Sequence, residues 1–405
     1  MIERWATVAT ATGLIDDDGS TKPSIFSEMS ALAADTGAAN LGQGFPDEDG
    51  PLWIREAAVA AMLDSQNQYP PVRGVPALRQ AIADHQRRHY GLSFDPNSEI
   101  LVTAGATEAL TAAILAFASA GDEVLTLEPF YDSHAAAIAM SGATHTTAPL
   151  RPTESGFRLD AATFRAAVST RTKLILVNTP HNPTGTVLTR EELSVIAEEA
   201  ARVDAIVITD EVYEHLTFEG ATHIPFATLP EMQSRTLTIS SSGKTFSLTG
   251  WKIGWVCGPA PLIEAVLAIK QFLTFSGGAP LQPAVARALT EGDNDVRELR
   301  ASLDERRVML IEGLTKAGFD TVRPEGTYFV CADATPFLDG EVGDGGAFAR
   351  WLPEHIGVAC VPISAFCRPG SPAAHALRNW VRFTFVKDEA TLRTACERLL
   401  QLTRA

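Results

Sequence analysis

The chain has 405 residues, too many for one small core, and its length implies two or three domains. With 45% hydrophobic and 20% charged residues, the composition is that of a globular protein and not of a disordered one. The net charge of −16 argues against nonspecific binding to nucleic acid or an anionic membrane, both of which call for a basic surface.

In chain order, Met1–Gly50 shows no strong periodicity. It carries Glu3, Asp16, Asp17 and Asp18 where a secretory signal would have an apolar core, and it closes on the punctuated GQGFPDEDG of Gly42–Gly50. This segment is expected to pack on a small C-terminal domain, with limits at 1–50, 51–285 and 286–405. From about Ile100 to Cys257, β-rich runs near 100–103, 123–127, 143–148, 173–177, 205–209, 236–240 and 253–257 predict seven strands. Helical patterns intervene at Glu108–Ala118, Ser133–Met140 and Arg190–Arg202. Strands separated by helices imply parallel crossovers and a sheet covered on both faces, an α/β architecture. The last two strands are joined by a loop alone, so the strand at 253–257 is expected to run antiparallel.

Beyond about Pro283 the texture changes. Asp293–Lys316 alternates charged and apolar residues at helical spacing up to Gly318. Short strands near Tyr328–Ala332, Val358–Val361 and Val381–Val386 follow, then a helix over Glu389–Leu400, which together suit a smaller α+β domain. No apolar run approaches the ~18 residues needed to span a bilayer. Five scattered cysteines without CxxC spacing read as reduced core thiols of a cytoplasmic protein. Nine histidines show no HExxH or comparable spacing, so no metal is expected.

The chemistry concentrates at strand ends. Ser241–Trp255, SSGKTFSLTGWKIGW, places Lys244 just after the apolar run Thr236–Ile239, with Lys252 eight residues later. A lysine at such a junction can form a Schiff base with an aldehyde cofactor, and neighbouring hydroxyls and a second cation suit that cofactor's phosphate. The plain alternative is a surface loop with two solvated lysines. Three further termini accompany it: Asn178–Gly185 (NTPHNPTG), Ile206–Tyr213 (IVITDEVY) and Val102–Leu110 (VTAGATEAL). Strand ends followed by polar or glycine-containing sequence are where open α/β sheets place ligands. No GxxxxGK[ST] or strand-following GxGxxG supports a nucleotide-binding protein instead.

From GQGFPDE through to VRFTFVKDE, the chain resembles the fold-type I pyridoxal-phosphate aminotransferases of class I/II. Within them it resembles the kynurenine–glutamine branch, and most of all the actinobacterial N-succinyldiaminopimelate aminotransferases. The resemblance implies a large domain with a seven-stranded, mostly parallel sheet, pyridoxal 5'-phosphate as cofactor, amino acid and 2-oxo acid substrates, and a homodimer with shared active sites.

Residue by residue, it implies Lys244 as the Schiff-base lysine and general base. Asp210 would face the pyridine nitrogen, while Tyr213 and Asn182 would reach the phenolic oxygen. Taken alone, Asp210 reads as a helix N-cap and Asn182 as an Asx-turn. Gly105, Ala106 and Thr107 would hold the phosphate at a helix N-terminus, completed by Ser241 and Lys252. Tyr131 would stack on the ring, and Tyr69 would reach the neighbouring subunit's phosphate. Arg382, with the backbone of Gly44, would take the substrate α-carboxylate; alone, Arg382 reads as a surface salt bridge. His134 departs from the tyrosine many relatives carry.

A β-lyase could keep every cofactor residue, and a kynurenine, glutamine or methionine aminotransferase with cysteine-conjugate β-lyase side activity is the alternative within the branch. An inert regulator would add a DNA-binding module, for which the sequence shows no helix-turn-helix extension. The loop Phe272–Gln282 (FLTFSGGAPLQ) is uncharged, which disfavours aspartate as donor. Arg73 is a candidate cation for the far carboxylates of a succinylated donor, or a plain surface arginine.

Overall fold

The computed structural model describes residues 4–16, 18–153, 156–340 and 342–403. Glu3 and Asp17, two of the acids noted near the N-terminus, lie outside them. The N-terminal segment holds two helices, α1 (Arg4–Ala11) and α2 (Ile25–Thr36), and a two-residue strand, β1 (Ala39–Asn40). Ser24 caps α2 by accepting from Ser27 N, and Gly37 ends it in the left-handed region at φ 64°. Helices α3 (Leu52–Leu63) and α4 (Pro76–Tyr90) follow, the latter with proline at its first position.

The central sheet is then laid down as β2 (Ile100–Ala104), α5 (Gly105–Phe117), β3 (Glu123–Glu128), α6 (Asp132–Ser141), β4 (Thr144–Thr153) and β5 (Gly156–Leu159). It continues through α7 (Ala161–Ala167), β6 (Thr172–Asn178), α8 (Arg190–Arg202), β7 (Ile206–Asp210), β8 (Thr236–Ser241), α9 (Ser242–Thr245) and β9 (Ile253–Cys257). Strand order is β2-β9-β8-β7-β6-β3-β4-β5. The seven expected strands are all present, and β9 is antiparallel to β8 and β2 as expected. An eighth strand, β5, folds back on β4 as an antiparallel edge. Strands β3, β8 and β9 are buried at every residue, because helices cover both faces. Helix α8 begins at a complete capping box in which Thr189 and Glu192 satisfy each other's backbone donors.

Helices α10 (Ala260–Lys270) and α11 (Leu281–Glu291) complete the large domain, α11 packing on α3 and α4. Residues 285 and 286, where a boundary was expected, lie inside α11, and Gly292 separates α11 from the next helix. The 25-residue α12 (Asp293–Ala317) leads to the smaller domain and ends at Gly318, whose φ of 103° no other residue type adopts readily. There β10 (Asp320–Val322), β11 (Phe329–Asp333), α13 (Gly345–His355), β12 (Val358–Ala359), β13 (Val361–Pro362), α14 (Pro372–Ala376), β14 (Trp380–Thr384) and α15 (Glu389–Leu399) form a sheet ordered β10-β11-β14-β13 with helices against it. Strand β1 pairs in parallel with β12, and α2 packs on α13, so most of the N-terminal segment joins this domain. Helix α1 is the correction: it packs on α6 of the large domain.

Candidate active site

A cavity of about 350 Å3 opens where the ends of β7 and β8, the start of α5 and the small-domain sheet converge. Of the residues singled out in the sequence, Gly44, Gly105, Ala106, Thr107, Tyr131, Asn182, Asp210, Tyr213, Ser241, Lys244, Lys252 and Arg382 line it, and Tyr69, Arg73 and His134 do not.

Lys244 sits on the single helical turn that follows β8. Ser242 Oγ donates to Ile253 O at 3.1 Å and ties the turn to β9. At Gly243 a Cβ would stand 3.0 Å from Thr249 Cα, so the tight turn needs glycine. The chain thereby aims Lys244 Nζ into the cavity, where it donates to Tyr328 Oη at 2.8 Å and to Gly44 O at 3.5 Å. The solvated-loop alternative for Lys244 is excluded by these contacts.

Lys252 adopts a left-handed φ of 53°, which turns its side chain back across the start of α5. Its Nζ lies 3.4 Å from Thr107 Oγ1, and a Cβ on Gly105 would come within 3.1 Å of it. Gly254 completes this close approach, since a Cβ there would stand 2.5 Å from the Gly105 carbonyl carbon. Burial, then the charge of Lys244, holds the Lys252 ammonium below its ordinary pKa. No side chain caps α5: its N-cap is Ala104, and Glu108 in the first turn instead accepts from Ala104 N and Thr274 Oγ1. The uncapped N–H groups, Lys252 and Ser241 together make a site for a phosphate-sized anion.

Asp210 ends β7 at the opposite side. Its Oδ1 accepts weakly from Val212 N at 3.4 Å, and its Oδ2 lies 3.3 Å from His134 Nε2, so the departure at His134 places an imidazole against this carboxylate. Asn178, at the end of β6, clamps the geometry: Nδ2 donates to Asp210 O at 2.8 Å and Oδ1 accepts from Asn182 N at 2.7 Å. Tyr131 packs edge-on to the His134 ring. Tyr213 is buried edge-on against Tyr328, and burial raises its hydroxyl pKa well above the usual value.

Arg382 lies on β14 between β11 and β13 and is fully buried. Nη1 donates to Asn182 Oδ1 at 2.9 Å and Nη2 to Gly42 O at 3.0 Å, while Nε is buried without a partner. Its Cζ stands 3.9, 4.6 and 5.6 Å from the ring centres of Phe329, Phe366 and Phe26. Burial lowers its pKa to about 10, an effect opposed by Tyr213 and Cys331. No carboxylate pairs with it among the described residues, so it is not a surface salt bridge. At Gly44 a Cβ would stand 2.6 Å from Phe329 Cζ, so glycine alone lets this segment close over the ring.

Two expected features lie elsewhere. Tyr69 is 81% exposed and touches Phe275 edge-on, away from the cavity. Arg73 pairs with Glu264 and does not line the cavity. Tyr328, Asn178 and the rings around Arg382 were not singled out in the sequence. Nothing in GTYFV distinguishes Tyr328 from an ordinary core aromatic; it is identified by its bonds to Lys244 and to Gly44 O at 2.6 Å.

An anion-binding helix start, a lysine between it and a strand-end carboxylate, and an unsatisfied buried guanidinium fit a phosphorylated, ring-nitrogen cofactor and a carboxylate substrate. These features define a pyridoxal-phosphate enzyme of the α/β class. A family model described as aminotransferase class I and II matches residues 36–399. Over 379 residues the chain is 52% identical to a probable N-succinyldiaminopimelate aminotransferase of Mycobacterium tuberculosis, covering 93% of this chain and 95% of that protein. It is 41% identical over 380 residues to a methionine aminotransferase of Escherichia coli, covering 93% and 95%. A solved structure of the Mycobacterium tuberculosis N-succinyldiaminopimelate aminotransferase superposes with a TM-score of 0.92 at 50% identity, covering all of both chains. The chain belongs to the class I and II aminotransferases, and its cofactor is pyridoxal 5'-phosphate.

Proposed function

We propose that this aminotransferase moves the amino group of N-succinyldiaminopimelate or a similarly long donor to a 2-oxo acid. The observation that carries the reading is the 52% identity over 93% of the chain to a protein of that description. The wall supports it: its cationic side chains among the described residues are Lys244, Lys252 and Arg382. Lys252 is committed to the anion site and Lys244 to the chemistry, so only Arg382 is free for a substrate carboxylate. A second carboxylate at aspartate's short reach would be desolvated without a partner. A long donor carries its far end past Phe26 and Phe45 toward the mouth.

In this reading Arg382, helped by the Gly44 segment, fixes the α-carboxylate and so points Cα at Lys244. Lys244 Nζ takes the proton from Cα and returns it later, and Tyr328 Oη holds Nζ in position meanwhile. The bound cofactor supplies an electron sink for the charge developing at Cα. Asp210 would hold the ring nitrogen protonated, Asn182 and Tyr213 would hydrogen-bond the phenolic oxygen, and Tyr131 would pack against the ring. Gly105, Ala106, Thr107, Ser241 and Lys252 would hold the phosphate.

The exposed pair Tyr69 and Phe275, which touch edge-on, with Leu63 and Phe272 exposed a few residues before each in sequence, favours a homodimer in which Tyr69 completes the neighbour's phosphate site. Sedimentation of the holoenzyme at the mass of two chains is the expected result. No helix among the described residues is long and apolar enough to cross a membrane, and the free cysteines accord with a cytoplasmic setting.

A donor panel tests the substrate. Values of kcat/KM are expected to rank N-succinyldiaminopimelate first, methionine, kynurenine and glutamine next, and aspartate last. A preference for aspartate would overturn the reading of the wall; methionine in first place would favour the alternative that the Escherichia coli relative suggests.

A further inference from the structure

Behind the active site lies a second cavity, of about 410 Å3, whose wall includes His85, His89, His215, His223, Glu214 and Asp293. His85 and His89 come from HQRRH in the last turns of α4, an i, i+4 pair that presents two imidazoles on one helix face. His215 comes from the turn after β7, two residues beyond Tyr213. One ligand atom from each of the three lies within 4.8 Å of the others. The rings are mutually close, with centroids 4.6, 4.9 and 5.0 Å apart.

Two details set this cluster apart from histidines that merely fill space. His85 Nε2 and His215 Nε2 face each other at 2.7 Å, a lone hydrogen bond between two rings. His85 is 2% exposed and its Nδ1 has no partner, so no protein group fixes its tautomer and its Nε2 can be freed to act as a ligand.

We propose that His85, His89 and His215 bind a divalent cation of the zinc class. Three imidazoles with an open fourth position suit zinc, and late first-row ions generally, over magnesium or calcium. In a tetrahedral site with zinc–nitrogen bonds of about 2.1 Å, ligand nitrogens stand about 3.4 Å apart. The 2.7 Å pair therefore opens by about 0.7 Å, and the third nitrogen, within 4.8 Å of the others, closes in. The ring that donates the inter-histidine bond remains neutral on metal entry, its proton moving from Nε2 to Nδ1. The negative end of the α4 dipole favours a cation there. Asp293 lies 3.5 Å from His89 Nε2 and pairs with Arg88 at 3.1 Å, and Arg297 and Arg300 stand on the same cavity wall. The ion would tie α4 to the turn that follows Asp210 and carries Tyr213, beside the first residue of α12.

The test uses tag-free, metal-depleted holoenzyme with its cofactor bound, titrated with zinc chloride against a chromophoric chelator. One ion per chain is expected, with affinity reduced tenfold or more in His89→Gln. That side chain is partly exposed, so the variant is expected to fold and to transaminate as the wild type does. Cobalt(II) is expected to give the intense visible bands of a four-coordinate, nitrogen-rich site. A wild-type chain that takes up no zinc, a zinc affinity unchanged by His89→Gln, or the weak spectrum of six-coordinate cobalt would each overturn the proposal.

Discussion

In the function proposed above, the two ends of the active cavity take anions by opposite means. At the α5 end the donors are mostly main-chain groups at an uncapped helix start, and two glycines let Lys252 and β9 approach. At the other end one guanidinium is fully buried, enclosed by three rings and oriented by Asn182 and Gly42. A site built from backbone spreads its energy over many atoms that substitution cannot remove. A site built on one desolvated side chain concentrates it, and leaves an empty, apolar socket when that side chain is lost.

Substitutions that separate these two designs can be ranked. Lys244→Ala acts between the ends and has the largest effect: turnover is expected to vanish while both anion sites remain, so the variant should still retain cofactor by its phosphate. Near wild-type rates in single-turnover assays would break the assignment.

Arg382→Ala comes next. Loss of a buried charged pair costs ~2–5 kcal/mol, or about 30- to several-thousand-fold in kcat/KM, with the bound cofactor's spectrum unchanged. Arg382→Lys should recover little, because an ammonium cannot fill the planar slot between rings or make the two-pronged contact. Full rescue by lysine would show that charge alone matters there.

Lys252→Ala should do least. The helix start and Ser241 remain, so cofactor retention is expected to fall by about 10- to 100-fold, equivalent to ~1.5–3 kcal/mol for one charged hydrogen bond. Dialysis against phosphate, followed by the cofactor's absorbance, measures it. A loss as deep as that of Arg382→Ala would erase the contrast between the ends.

The same contrast explains what could be read from sequence. Asp210, Asn182 and Lys244 stand where β-branched runs give way to polar turns, so local pattern marks them. Helix α8 was legible to the residue because its capping box and charged face are local signals. Helices α1 and α2 were not, since Met1–Gly50 has few large apolar residues and α2 buries only Met29 and Ala33. Strand β5 escaped because four residues, folded back on β4, carry too short an alternation. Tyr328 escaped for a different reason: its meaning lies in contacts with Gly44 and Lys244, far off along the chain. Histidine spacing was judged by HExxH-like patterns, and the cluster at His85, His89 and His215 joins one helix to a distant turn.

Arg382 also bears on how the molecule is assembled. Its hydrogen bonds join Gly42, Asn182 and Arg382, three points spread over most of the chain, whereas the α5 end, Asp210 and the backbone of the lysine turn all come from β2 to β9, and only the bonds from Lys244 Nζ to Tyr328 and Gly44 reach outside that span. A nascent or partly melted chain that lacks β14 would therefore take up cofactor and turn yellow, yet be blind to its amino acid. Colour would report the first domain to form, and response to substrate the last.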